Sequence, residues 1–158
     1  MEYKLVILSM FFTTFVSLAQ AQNKAMTFEN AAKQDNSYEK LDKIYKSAVN
    51  NDPQFAVFKT PEEQADLQKA YVTLLQNLGK FLKSKGFKWE KETKCFNRIY
   101  INSDGTIDYF LYNFSKNQVA PEKQAEFEIL LNEFIKTQKF PITAKEKFAQ
   151  CSPVKYND

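Results

Sequence analysis

The chain contains no histidine. That removes imidazole bases, imidazole zinc ligands and the side chain that titrates near neutral pH. Glycine is scarce, at three residues in 158, and proline numbers five. Glycine-rich phosphate loops, collagen-like repeats and flexible linkers are excluded with them. Arginine occurs once, as Arg98, among 22 basic residues. Phosphates and base edges are read mostly by the guanidinium fork, so nucleic acid is not an expected partner. The net charge of +3 comes from lysines spread among nearly as many acids, the pattern of a solvated surface.

What is present is apolar and aromatic. Hydrophobic residues make up 44% of the chain, with 15 Phe and 8 Tyr, enough to build one core. Residues 1–21 read as a secretory signal peptide. Lys4 supplies the charged start, Leu5 to Leu18 is apolar apart from Ser and Thr, and Ala19-Gln20-Ala21 suits a signal peptidase. The run falls short of the roughly 20 residues of a spanning helix, so no stable membrane anchor is expected after cleavage. Two cysteines, Cys95 and Cys151, then enter an oxidising compartment. An even count there predicts one disulfide, worth about 4 kcal/mol in the chain-entropy model.

Residues 22–37 are polar and read as a flexible N-terminal arm, and residues 38–158 as a single α+β domain. Tyr38, Leu41, Ile44, Tyr45, Ala48 and Val49 recur at helical spacing, up to the stop at Asn50-Asn51-Asp52-Pro53. Thr60-Pro61-Glu62-Glu63 opens a second helix over 61–84 with a capping box, and Gly86 ends it. Cys95 to Ile101 and Ile107 to Phe114 flank Asn102-Ser103-Asp104-Gly105-Thr106, which predicts a hairpin with Gly105 left-handed. Pairing Ile101 with Ile107 and Ile99 with Tyr109 gathers Phe96, Arg98, Tyr100, Phe110, Tyr112 and Phe114 on the opposite face. A helix over 121–136 follows, and residues 145–151 and 153–156 read as a final strand interrupted by Pro153, which favours an edge or end position. The expected fold is an antiparallel three-stranded sheet, the hairpin plus the final strand, packed with two to three helices.

This order of helix, hairpin, helix and strand resembles the TonB C-terminal-like domain over about residues 65–156. The residues that carry the likeness are Phe81-Leu82-Lys83, Phe87-Lys88-Trp89, Ile99 through Asp104-Gly105 to Ile107, and the helix from Phe127 through Phe134 to Phe140-Pro141. No Pro-rich linker is present, so energy transduction across an envelope is not implied. The resemblance implies a protein-binding domain whose sheet edge accepts a partner strand. It also implies that the final strand lies antiparallel beside the first hairpin strand, with Cys95 and Cys151 at the meeting ends.

No assembled reactive centre is legible. An EF-hand register on Gly105 would put Tyr100 and Leu111 where oxygen ligands belong. Ser37-Tyr38-Glu39-Lys40 matches a short nucleophile motif, but Ser37 is more simply a helix cap. Glu62-Glu63, Glu90/Glu92 and Glu126/Glu128 are the paired acids. No catalytic residue, metal ligand or cofactor is assigned. The six-residue hairpin face is the candidate binding site, or else a second core layer in which Asp108 is the nearest acid for Arg98. The expected function is an exported, non-catalytic protein- or peptide-binding module in the periplasm or outside the cell, of the inhibitor or immunity-protein kind. A small secreted carboxylate-based hydrolase and a small apolar-ligand carrier are the alternatives.

Overall fold

The structure, a computed structural model, describes residues 23–158. The signal peptide expected at 1–21 lies outside them. No helix among the described residues is long and apolar enough to cross a membrane.

The chain runs β1 (Lys24–Thr27), α1 (Phe28–Lys33), α2 (Tyr38–Leu41), β2 (Lys46–Ser47), α3 (Pro61–Ser84), β3 (Thr93–Ile101), β4 (Ile107–Phe114), α4 (Pro121–Thr137) and β5 (Phe148–Tyr156). Local chemistry explains the long elements. The Glu63 N–H donates to Thr60 Oγ1 at 3.2 Å and the Thr60 N–H to Glu63 Oε2 at 3.0 Å, so α3 starts on a closed capping box. At the hairpin, the Gly105 N–H reaches the Asn102 carbonyl at 2.9 Å with φ at +85°. A side chain at 105 would also collide with the Phe140 carbonyl, 2.8 Å from an added Cβ.

Among the described residues the sheet is five-stranded and mixed, in the order β1-β4-β3-β5-β2. This corrects the expected three-stranded antiparallel sheet. β3 pairs antiparallel with both β4 and β5, while β1 lies parallel to β4 and β2 parallel to β5. Among the described residues four α-helices accompany it rather than two or three. β1 comes from a segment whose polar composition hides it, and β2 from one whose apolar spacing reads as helical. Residues 22–37, expected as a flexible arm, supply β1 and α1. The helix expected over 38–49 stops after one turn at Leu41, because Lys46–Ser47 is drawn into the sheet. The Lys46 N–H donates to the Lys147 carbonyl at 3.0 Å and the Ala48 N–H to that of Ala149 at 2.9 Å. Pairing across the sheet outweighs a local propensity worth tenths of a kcal/mol per residue.

α3 and α4 pack on one face of the sheet over Ile99, Ile101, Ile107, Phe110, Tyr112 and Phe148. The other face holds a smaller cluster in which Met26, Tyr100, Tyr109, Leu111 and Ala149 meet Ala31, Leu41 and Tyr45. The two faces are therefore unequally covered, and that inequality positions the candidate site.

Candidate binding surface

The six hairpin residues do not share a face. The ladder pairs Ile101 with Ile107 but Tyr100 with Tyr109, so Asp108 is an extra residue in β4. A one-residue bulge exchanges the faces of every later side chain. Phe110 and Tyr112 thus turn under α3 and α4 and are fully buried, and Phe114 packs against Trp89 and Phe127 with them. The Tyr112 hydroxyl donates to Glu128 Oε2 at 2.8 Å. These three are core residues, and the binding assignment is corrected for them. Phe96, Arg98 and Tyr100 remain together on the second face.

Arg98 is tied down there. Its Nη2 donates to Asp42 Oδ2 at 2.6 Å and its Nε to Asp42 Oδ1 at 3.1 Å, a two-pronged pair. Nε also reaches the Tyr100 hydroxyl at 2.9 Å, which in turn donates to Asp42 Oδ1 at 3.0 Å. Burial holds the Tyr100 phenol above its ordinary value. The arginine's acid is therefore Asp42, not Asp108. Asp108 accepts the Tyr45 hydroxyl at 2.7 Å and stands 3.7 Å from Lys147 Nζ. With its charge matched, Arg98 supports the surface rather than offering a free cation.

Phe96 is the exposed member, 39% accessible. Its ring lies 6.0 Å from that of Phe28, and Phe28 lies 6.1 Å from Tyr38, itself 45% accessible. Thr27 holds Phe28 there by capping α1, its Oγ1 accepting the Asn30 N–H at 3.1 Å. Across β5 the same face carries Pro153 opposite Phe96, Cys151 opposite Arg98 and Lys155 opposite Lys94. The patch is bare because α1 and α2 are six and four residues long and roof only the turn-proximal part of the face.

The sheet edges are guarded. At β1, the Ala25 N–H donates to Asn132 Oδ1 at 2.9 Å, and Asn132 Nδ2 donates to the Ala25 carbonyl at 2.7 Å. One side-chain amide from α4 thus replaces a neighbouring strand. At β5, β2 covers only Phe148 and Ala149. Lys147 and Ala149 point their carbonyls at the β2 side, so alternation aims the main chain of Cys151, Pro153 and Lys155 outward. Pro153 falls on an outward position, costs the sheet no bond and removes a donor from the edge.

Cys95 and Cys151 are both free, which corrects the expected disulfide. Cys95 pairs with Val154 and Cys151 with Arg98, so the cysteines stand three positions apart along the ladder. That is about 10 Å, and an odd offset places them on opposite faces. Cys95 is buried and its thiol is pushed up to about 12 by burial, whereas Cys151 is exposed.

The acids do not converge in shelter. Glu90, Glu122 and Glu126 line a cleft of about 600 Å³, all three exposed, with Glu126 paired to Lys123 at 3.2 Å. A general acid at neutral pH needs burial to hold its proton. Glu63 is occupied by the α3 cap. Ser37 stands at the start of α2, and Lys40 is paired with Asp35. Among the described residues no group of three or more His, Cys, Asp or Glu could hold a metal ion.

Phe28, Tyr38 and Asp42 are the surface residues that sequence reasoning missed. The Thr27 cap before Phe28-Glu29-Asn30 was the available signal, and Asp42 carries none, since its partner is 56 residues away. No protein-family model matches the chain, and neither does any curated protein or solved structure.

Proposed function

We propose that the chain is an exported, non-catalytic module that binds a protein or peptide in the periplasm or outside the cell, in the manner of an inhibitor or immunity protein. The observation that carries this reading is the Phe28–Tyr38–Phe96 patch on the unroofed part of the second face. Tyr38 and Phe96 are exposed and the half-buried Phe28 joins their rings; large aromatics at a surface are the residue types that dominate binding energies. Lys94 and Lys155 flank the patch, Lys155 already paired with Glu92 at 3.1 Å, so Lys94 is the cation that favours an acidic residue beside the partner's apolar anchor. Docking is face-on rather than by strand addition, since Pro153 and Asn132 guard the edges. The unsheltered acids argue against the hydrolase, and rings that fill the interior between helices and sheet argue against the ligand carrier.

The test is capture on the immobilised protein from the producing cell's envelope fraction and medium. Binding of the purified partner is then measured for Phe96→Asp and for Ile129→Asp, on the far side of α4. Loss of roughly tenfold or more is expected for Phe96→Asp alone, the scale of a hot-spot residue. Equal binding by both variants, or turnover abolished by Glu122→Gln, would overturn the reading.

A further inference from the structure

Trp89, the chain's one tryptophan, sits where α3 gives way to β3. α3 closes on a left-handed Gly86 at φ +77°, with the Phe87 N–H on the Leu82 carbonyl at 3.0 Å. Glu90 is left-handed too, at φ +66°, although it is not glycine. This bend aims two successive N–H groups at one point. The Trp89 N–H donates to Asp158 Oδ1 at 2.7 Å and the Glu90 N–H to Asp158 Oδ2 at 3.1 Å. Consecutive N–H groups so arranged make an anion-binding concavity. The Trp89 N–H, then the Glu90 N–H, Lys88 and Lys123, hold the Asp158 carboxyl below its usual range. A site with two donors and two nearby cations is thus occupied by a carboxylate from the segment after β5.

A cleft of about 700 Å³ adjoins this point. Leu82, Phe87 and Trp89 give it apolar walls, and Lys80 and Lys83 stand on its helical side. Neither lysine has an ion-pair partner among the described residues. Gly79 lines the cleft from the interior of α3. Glycine there costs about 1 kcal/mol relative to alanine. Packing does not require it, because a Cβ at 79 would meet nothing within 4 Å. The position faces open space in the cleft, where a large side chain has room to enter.

From these observations we infer that the Trp89–Glu90 bend and its cleft bind an acidic peptide segment of a partner protein. The peptide's Asp or Glu carboxylate replaces Asp158 on the two N–H groups, and its apolar side chains enter the cleft between the lysines. Asp158 is the tethered competitor that fills the site when the partner is absent. A fatty acid would satisfy the same donors, but its single carboxylate leaves Lys80 and Lys83 unmatched. The site shares no residue with the Phe28–Tyr38–Phe96 patch, so either assignment can fail alone.

Trp89 fluorescence in the full-length protein reads the site directly. The probe is a blocked Leu-Phe-Asp-Glu-Leu peptide, compared with its Leu-Phe-Asn-Gln-Leu counterpart and with laurate. A saturable change is expected with the acidic peptide, about tenfold tighter in Asp158→Asn, where the tethered competitor is gone. Gly79→Leu should abolish the change while the melting temperature holds or rises, which separates a filled cleft from a broken fold. Three results would overturn the inference: unchanged affinity in Asp158→Asn, equal binding of the amide peptide, or saturation by laurate alone.

Discussion

At the scale of single residues, Asp108 is the most demanding group. It is 4% accessible, one oxygen takes the Tyr45 hydroxyl at 2.7 Å, and Oδ1 has no hydrogen-bond partner among the described residues. Tyr45→Phe strips that carboxylate of its close donor, so stability should fall by about 1–3 kcal/mol in urea denaturation. A loss no larger than that of Tyr38→Phe would mean the bond contributes nothing. The thiols give a second test. Cys151 should react with a thiol reagent in the native protein, and Cys95 only after unfolding. Protection of both until a reductant is added would restore the bridge. That Arg98 needs an acid was legible in the chain. Which acid was not, because Asp42, at the end of α2, stands 56 residues away and meets Arg98 only where α2 packs over the sheet.

At the scale of elements, edges and turns carry the specificity. Asn132 stands in for a sixth strand by answering both main-chain groups of Ala25. Asn132→Ala should cost about 1–3 kcal/mol, the desolvation of groups left unpaired. The loss of amide protection should concentrate at 24–27, measured by hydrogen exchange; uniform loss would show that β1 does not depend on it. Gly105→Ala forces a left-handed backbone on alanine and sets its Cβ against the Phe140 carbonyl. A destabilisation of about 1–3 kcal/mol is expected by thermal melting, and a neutral result would contradict the turn. Long elements were readable because their caps and stripes are local: α3 begins and ends where Thr60 and Gly86 place it. The 38–49 stripe misled, because the same apolar residues serve a single helical turn followed by a strand.

At the scale of the molecule, burial of phenols sets the response to alkali. Tyr45, Tyr71, Tyr100, Tyr112 and Tyr156 are all held above the ordinary phenol value, chiefly by burial, as Cys95 is above that of a thiol. In the unfolded chain these groups ionise from about pH 9 to 10 upward, while the folded protein keeps their protons. The stability they contribute is therefore complete below that range and is lost as pH rises through it. Melting temperature should hold level from pH 7 to about 8.5 and then fall increasingly steeply. A level profile through pH 11 would contradict the burial of these rings. Composition and local pattern by themselves determined the missing histidine chemistry, the lysine surface, α3, α4, the hairpin turn and the aromatic wealth of the core. These are properties of short stretches, set by side-chain inventory, capping and turn geometry. Only the tertiary structure decided the two parallel flanking strands, the bulge at Asp108 and the separation of the cysteines. It likewise decided which of six aromatic and charged hairpin residues meet solvent. Each depends on strand register between segments far apart in sequence, and a shift of one residue reverses every face downstream of it.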